Sequence, residues 1–94
     1  MITDKSRIPR VGINLLRQNL PVLSPPRKIA LELRNGVQVL SVEGPKESYE
    51  SISFTWGRPG DRSHALAEAL DLLGHPLSVE QIEKLDPNKE VSMA

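Results

Sequence analysis

Residues 28–43, KIALELRNGVQVLSVE from Lys28 to Glu43, are the stretch whose reading decides the fold. Ile29, Leu31 and Leu33 alternate with Lys28, Ala30, Glu32 and Arg34, the period-two signature of a strand with one apolar face. Asn35-Gly36 follows, the preferred pair for a two-residue type I′ hairpin turn, in which both central residues take positive φ. Closing the chain at that turn sets Arg34 opposite Val37, Leu33 opposite Gln38, Leu31 opposite Leu40 and Ile29 opposite Val42. Ile29, Leu31, Leu33, Leu40 and Val42 then share one face. On the other, Lys28 meets Glu43, an opposite-charge pair of the kind that supports a ladder. Ala30, Val37 and Val39 make that second face less polar than a purely solvated one.

Downstream, Gly44-Pro45 ends the second strand, and Ile52, Phe54 and Trp56 alternate with Ser51, Ser53 and Thr55 as a third antiparallel strand is expected to do. After Gly57-Arg58-Pro59-Gly60, Asp61 or Ser63 can cap a helix on which Leu66, Ala69, Leu70 and Leu73 recur at helical spacing. Gly74 stops it. Ser78 with Gln81 three residues on is a capping box, flanked by Leu77 and Ile82 at the positions of a hydrophobic staple, so a short second helix runs from Val79 to about Leu85. The expected fold is α+β: a three-stranded antiparallel meander covered by one longer and one short helix.

Upstream, Pro9, Pro21, Pro25 and Pro26 interrupt the chain, and each removes a backbone donor and fixes φ. An irregular arm is expected over 1–27, with a short helical turn whose stripe is Val11, Leu15, Leu16 and Leu20, although Val11, Ile13 and Leu15 also alternate as a strand would. The α+β domain spans 28–86, and 87–94 reads as a frayed tail.

The 94 residues carry 12 basic and 12 acidic groups and no cysteine. One small domain follows, without disulfides, thiolate metal sites or thiol nucleophiles. No apolar run reaches the roughly 18 residues of a membrane span, and no signal-peptide segment opens the chain, so a cytoplasmic protein is expected. Neutrality hides an asymmetry: residues 1–34 hold seven basic groups against two acidic ones, and the remainder five against ten. The basic half either steers a charged partner or lies across the acidic half.

Catalytic chemistry has little to work with. His64 and His75 stand near opposite ends of one helix, and Asp61, Ser63 and His64, although triad residue types, are better read as helix-entrance residues. No catalytic residue, metal ligand or cofactor is assigned. Arg58 and Arg62, beside the glycines that precede the helix, are candidates for clamping an anion. Arg7, Arg10, Arg17 and Arg27, with Val37 and Val39 of the outer sheet face, are the candidate partner-binding residues.

The segment from Phe54 to Leu70, with Phe54-x-Trp56-Gly57, Gly60 and Leu66-Ala67-x-Ala69-Leu70, resembles the C-terminal pattern of a small uncharacterised family found in bacteria, phages and mobile elements. It departs from that pattern at Arg58, where members tend to carry an aromatic, and at Arg62 and Ser63, where they tend to carry Gly-Pro. The resemblance implies a phage or mobile-element setting. The expected function is therefore a non-enzymatic interaction protein that binds or inhibits a host protein or complex, with a homodimer as the simplest cover for its sheet. The alternative is a nucleic-acid-associated accessory protein that uses the basic arm.

Because the turn demands positive φ at Gly36, Gly36→Val is expected to destabilise the protein by about 1–2 kcal/mol. A thermal melt reads this as a lowered Tm, and an unchanged Tm refutes the turn.

Overall fold

The computed structural model describes residues 1–93. The hairpin at its centre joins β2 (Lys28–Arg34) to β3 (Val37–Glu43). Its register is the one read from the sequence, Arg34 opposite Val37 through Lys28 opposite Glu43. Asn35 and Gly36 take φ of 54° and 78°, as a type I′ turn requires. Ile29, Leu31, Leu40 and Val42 are buried on the inner face.

Around this hairpin the sheet has five strands rather than three, in the order β1-β4-β3-β2-β5. β4 (Ser48–Ser51) adds antiparallel to β3, β1 (Ile2–Asp4) lies parallel to β4, and β5 (Val91–Met93) lies antiparallel to β2. The α+β class holds, and the three-stranded antiparallel meander is replaced by a five-stranded mixed sheet.

The residues 1–27 expected to be an irregular arm form β1, α1 (Pro9–Gln18) and α2 (Leu20–Leu23). Proline is a poor guide here because it is tolerated in a helix's first turn, where its missing N–H would have no intrahelical acceptor anyway. Pro9 and Pro21 occupy such positions. The expected stripe holds at Leu16, which is buried, and at Leu15 and Leu20, which pack against the core, and is corrected at its start. α1 buries Gly12, Ile13 and Leu16, while Val11 is exposed. Gly12 is the point of closest approach, since a Cβ there would lie 2.8 Å from an Asp4 carboxylate oxygen and 3.1 Å from both Phe54 and Ser53. The Tyr49 hydroxyl donates to the Gly12 carbonyl at 2.8 Å. Residues 87–94, expected to fray, contain β5.

The third strand is displaced as well. Ladder pairing ends at Ser51, and residues 52–56 leave the sheet and run through the interior. Phe54 and Trp56 are buried as expected, but so are Ser53 and Thr55, which the alternation assigned to solvent. Side chains stand in for the missing ladder. Gln38 donates its amide to the Trp56 carbonyl at 2.9 Å and accepts from the Trp56 N–H at 3.3 Å. Arg62 donates to the carbonyls of Ile52 and Ser53, and the Thr55 hydroxyl lies 3.1 Å from that of Ser63.

α3 (Asp61–Leu72) and α4 (Val79–Glu83) close the inner layer. Leu66, Ala69, Leu70 and Leu73 are buried at the expected spacing. Neither Asp61 nor Ser63 caps α3. Its N-cap is Gly60, without a side-chain cap bond, because the Ser63 hydroxyl is engaged by Thr55 and the Arg58 carbonyl. At the other end His75 N–H donates to Leu70 and Gly74 N–H to Asp71, the paired bonds of a Schellman stop. Both hydrogen bonds of the Ser78–Gln81 capping box are present. Among the described residues no helix is long and apolar enough to cross a membrane.

Gln38→Leu leaves the buried Trp56 amide and carbonyl without their side-chain partner. It is expected to cost about 2–4 kcal/mol, from about 1–3 kcal/mol per buried unsatisfied group. Denaturant unfolding followed by the fluorescence of Trp56, blue-shifted in the native state, measures it. A loss under 0.5 kcal/mol, by the same scale, would show that water satisfies that segment.

Candidate functional site

The main core cluster lies on one side of the sheet, and on the other side, among the described residues, only Ala30 and Val39 are buried apolar residues. Every sheet residue of the core cluster belongs to the inner alternation, shared with Ile13, Leu16, Phe54, Trp56 and the apolar faces of α3 and α4. The outer alternation, which includes Ala30, Glu32, Arg34, Val37, Val39, Ser41 and Glu50, contributes nothing to that cluster. The N-terminal segment does fold back on its own domain, but on the inner side, where α1 packs against α3 and β1.

On the outer face an ion trio stands where a helix would otherwise pack. Arg34 pairs with Glu32 at 2.6 Å and with Glu50, and Val39, directly opposite Glu32, is 4% exposed. The two carboxylates hold the Arg34 guanidinium above its ordinary pKa through their hydrogen bonds. Beside the trio runs a groove of about 400 Å³, lined by Val37, Val39 and Ile52, with Lys5, Arg7 and Arg34 and the carboxylates of Asp4 and Glu50 at its margin.

Three of the residues singled out in the sequence thus meet at one place: Arg7, Val37 and Val39. The others are dispersed. Arg10 lines a separate groove between α1 and α3 with Asp61, His64 and Glu68. Arg17 pairs with Glu68 at 3.2 Å across the same two helices. Arg27 lines a third depression near Glu43 and Glu47. Arg58 is exposed on the loop before α3, and Arg62 is half-buried against the 52–53 backbone. The arginines of 1–27 therefore do not form one basic stripe.

The groove's end is shaped by groups that sequence reasoning passed over. Asp4 is 4% exposed and accepts from the hydroxyls of Ser51, at 2.6 Å, and Ser53 and from the Ser6 N–H at 2.9 Å. Burial pushes this carboxyl up, but the hydrogen bonds outweigh it and hold it below the usual carboxylate range. Burial likewise pushes the Tyr49 hydroxyl above its ordinary pKa, so it stays a neutral donor to Gly12. A lone aspartate near a chain's start carries no sequence signal for this role. The run of Ser51, Ser53 and Thr55 does, once its polar side is allowed to face a buried partner.

No nucleophile–base pair is assembled around these groups. Ser63 is bonded to Thr55 and Arg58, and exposed His64 places Nδ1 3.0 Å from the Gly60 carbonyl. Among the described residues no three His, Cys, Asp or Glu side chains cluster as metal ligands would. What the arrangement offers is a binding surface: an apolar floor, a cationic margin and a rigid backbone beneath. No family model, curated protein or solved structure matches the chain.

Asp4 carries a pH signature. Its folded pKa is depressed, so its stabilisation is present above the unfolded value of about 3.9 and is lost as pH falls through the folded value. Asp4→Asn is expected to lower Tm at pH 7, with the gap to the wild type closing below about pH 4. A gap that is constant from pH 7 to pH 2 would show that the carboxylate charge is irrelevant.

Proposed function

We propose that this protein is a non-enzymatic interaction module whose outer sheet face receives an extended, acidic segment of a partner protein. The observation that carries this reading is the groove over Val37, Val39 and Ile52, on a sheet whose helices all serve the opposite face. The chemistry of the groove selects the partner. Its floor is apolar, so one or two aliphatic side chains of the partner lose water there. At its margin Lys5 and Arg7 have no carboxylate within ion-pair distance among the described residues, whereas Arg34 is already paired. An incoming carboxylate finds two unspent cations, and complementarity of this kind governs selectivity and encounter rate more than affinity. The placement of the setting in a phage or mobile element, with a host protein as the target, rests on the Phe54–Leu70 resemblance alone.

Selection from a random peptide display library on the immobilised full chain tests the proposal. Peptides combining Asp or Glu with Leu, Ile or Val are expected, and their binding is expected to fall at least tenfold in Val37→Asp and to remain in Asp71→Ala, which is remote from the groove. Enrichment of no peptide, or binding indifferent to Val37→Asp, overturns the reading. Light scattering of the same protein distinguishes the case in which a second copy occupies the face, since a dimer lost in Val37→Asp replaces the foreign partner with the chain itself.

A further inference from the structure

A second feature lies at the margin where the β1–α1 loop meets the entrance to α3. Arg7 is drawn toward Arg58 and Arg62 there by hydrogen bonds that all meet at residues 53 and 63. The Ser6 hydroxyl lies 3.3 Å from that of Ser53, which brings the loop bearing Arg7 against residue 53. Arg62 reaches the same residue from the other side, donating Nε to the Ser53 carbonyl at 3.1 Å. The loop bearing Arg58 is tied down by Ser63, whose hydroxyl donates to the Arg58 carbonyl at 2.6 Å.

The arrangement is rigid. Ser6 N–H is held by Asp4 at 2.9 Å, and the Ser6 hydroxyl accepts from Ile8 N–H at 3.1 Å, so Arg7 is pinched between two fixed residues. It takes φ of 60°, a left-handed conformation unusual for a residue other than glycine and one often found at binding sites. None of the three guanidiniums has a carboxylate within ion-pair distance among the described residues. Asp4 is saturated by hydroxyls and an amide, and Asp61 pairs with none of them. Burial, Arg7 and Arg58 all depress the Arg62 pKa, as expected where like charges converge without a counterion. Arg62 spends donors on two carbonyls and keeps the rest of its five.

We propose that Arg7, Arg58 and Arg62 form a binding site for a phosphate monoester dianion. Three guanidiniums, each able to present paired N–H groups, match the donor demand of a tetrahedral dianion better than that of a single carboxylate. A dianion also relieves the mutual repulsion that the apo site carries. The site shares Arg7 with the groove over Val37 and Val39 but takes Arg58 and Arg62 from outside it, so phosphate binding lost in Arg58→Gln with peptide binding retained separates the two.

Titration of the full chain with inorganic phosphate, against chloride at matched ionic strength, tests it by NMR and thermal melting. Saturable shifts are expected at the Arg7, Arg58 and Arg62 signals. Tm is expected to rise by on the order of 5 °C at ten times the half-saturating concentration. Arg7→Gln and Arg58→Gln should each weaken phosphate binding about tenfold or more. Without phosphate each should melt no lower than the wild type, because each removes a repulsive neighbour, whereas a purely structural arginine would lower Tm when replaced. Arg62→Lys keeps the charge for the case in which Arg62→Gln does not fold. Phosphoserine and a single-stranded oligonucleotide serve as separate probes. Tighter binding of phosphoserine than of its unphosphorylated form supports the monoester, and preference for the oligonucleotide's diesters overturns it. A response equal to that of chloride, or one undiminished in both Gln variants, overturns the site.

Discussion

The buried carboxylate of Asp4 is the interaction on which the rest of the structure depends. It sits where three pieces of chain must meet: β1, the end of β4, and the segment that leaves the sheet after Ser51. Its acceptors take the hydroxyls of Ser51 and Ser53 and the amide of Ser6. An ionised group at 4% exposure is tolerable only with such a complement, since burying a charge without hydrogen bonds costs far more than one such contact returns. Because its hydrogen bonds come from two hydroxyls and an amide and not from an arginine, the anion fixes geometry without drawing in a cation. The arginines nearby are left for other uses.

That arrangement sets how closely α1 can approach. Gly12 lies over Asp4, Ser53 and Phe54 with no room for a Cβ, and the Tyr49 hydroxyl bonds to its carbonyl from beneath. Glycine within a helix costs about 1 kcal/mol relative to alanine, a penalty set against the burial of Ile13 and Leu16 that the close approach permits. The helix, the parallel edge strand and the irregular 52–56 segment are therefore one packing unit. Removing β1 would take from the Ser51 and Ser53 hydroxyls the carboxylate to which they donate, and from the Ile52 amide the Asp4 backbone carbonyl.

The parts of the fold legible in the sequence are those whose signal is local. The β2–β3 register follows from Asn35-Gly36 and an alternation seven residues long on each side; α3 follows from the spacing of Leu66, Ala69, Leu70 and Leu73; α4 follows from Ser78 and Gln81. What was missed is non-local. A three-residue strand such as β1 or β5 is too short to show periodicity, and its existence depends on an edge supplied by β4 or β2. Residues 52–56 alternate as a strand does, yet Ser53 and Thr55 face Asp4 and Ser63 rather than water, and Gln38 replaces the neighbouring strand. At the groove, Val37 and Val39 were marked by their place on the second face of the hairpin, while Lys5 and Ile52 reach it only through the tertiary fold. Arg58 and Arg62 were visible as neighbours in the chain; Arg7 joins them through a contact between serines 47 positions apart.

The charge asymmetry between the halves of the sequence is offset in part inside the fold. Arg17 of the basic half meets Glu68 of the acidic half, and Arg34 meets Glu50. These pairs are well exposed on at least one side, so each adds little stability, but each satisfies charge that would otherwise act at a distance. β2 of the basic half lies between β3 and β5 of the acidic half, so the +5 and −5 halves are not segregated in space as they are in sequence. Lys5, Arg7, Arg58 and Arg62 have no carboxylate within ion-pair distance among the described residues. All four belong to the two loops that flank the Asp4–Ser53 contact, one between β1 and α1, the other leading into α3. The constraint that assembles the fold thus also gathers along one margin four of the nine Lys and Arg side chains that form no ion pair among the described residues. Selectivity for an anionic ligand would then arise from where those loops are held, not from the overall charge of the chain.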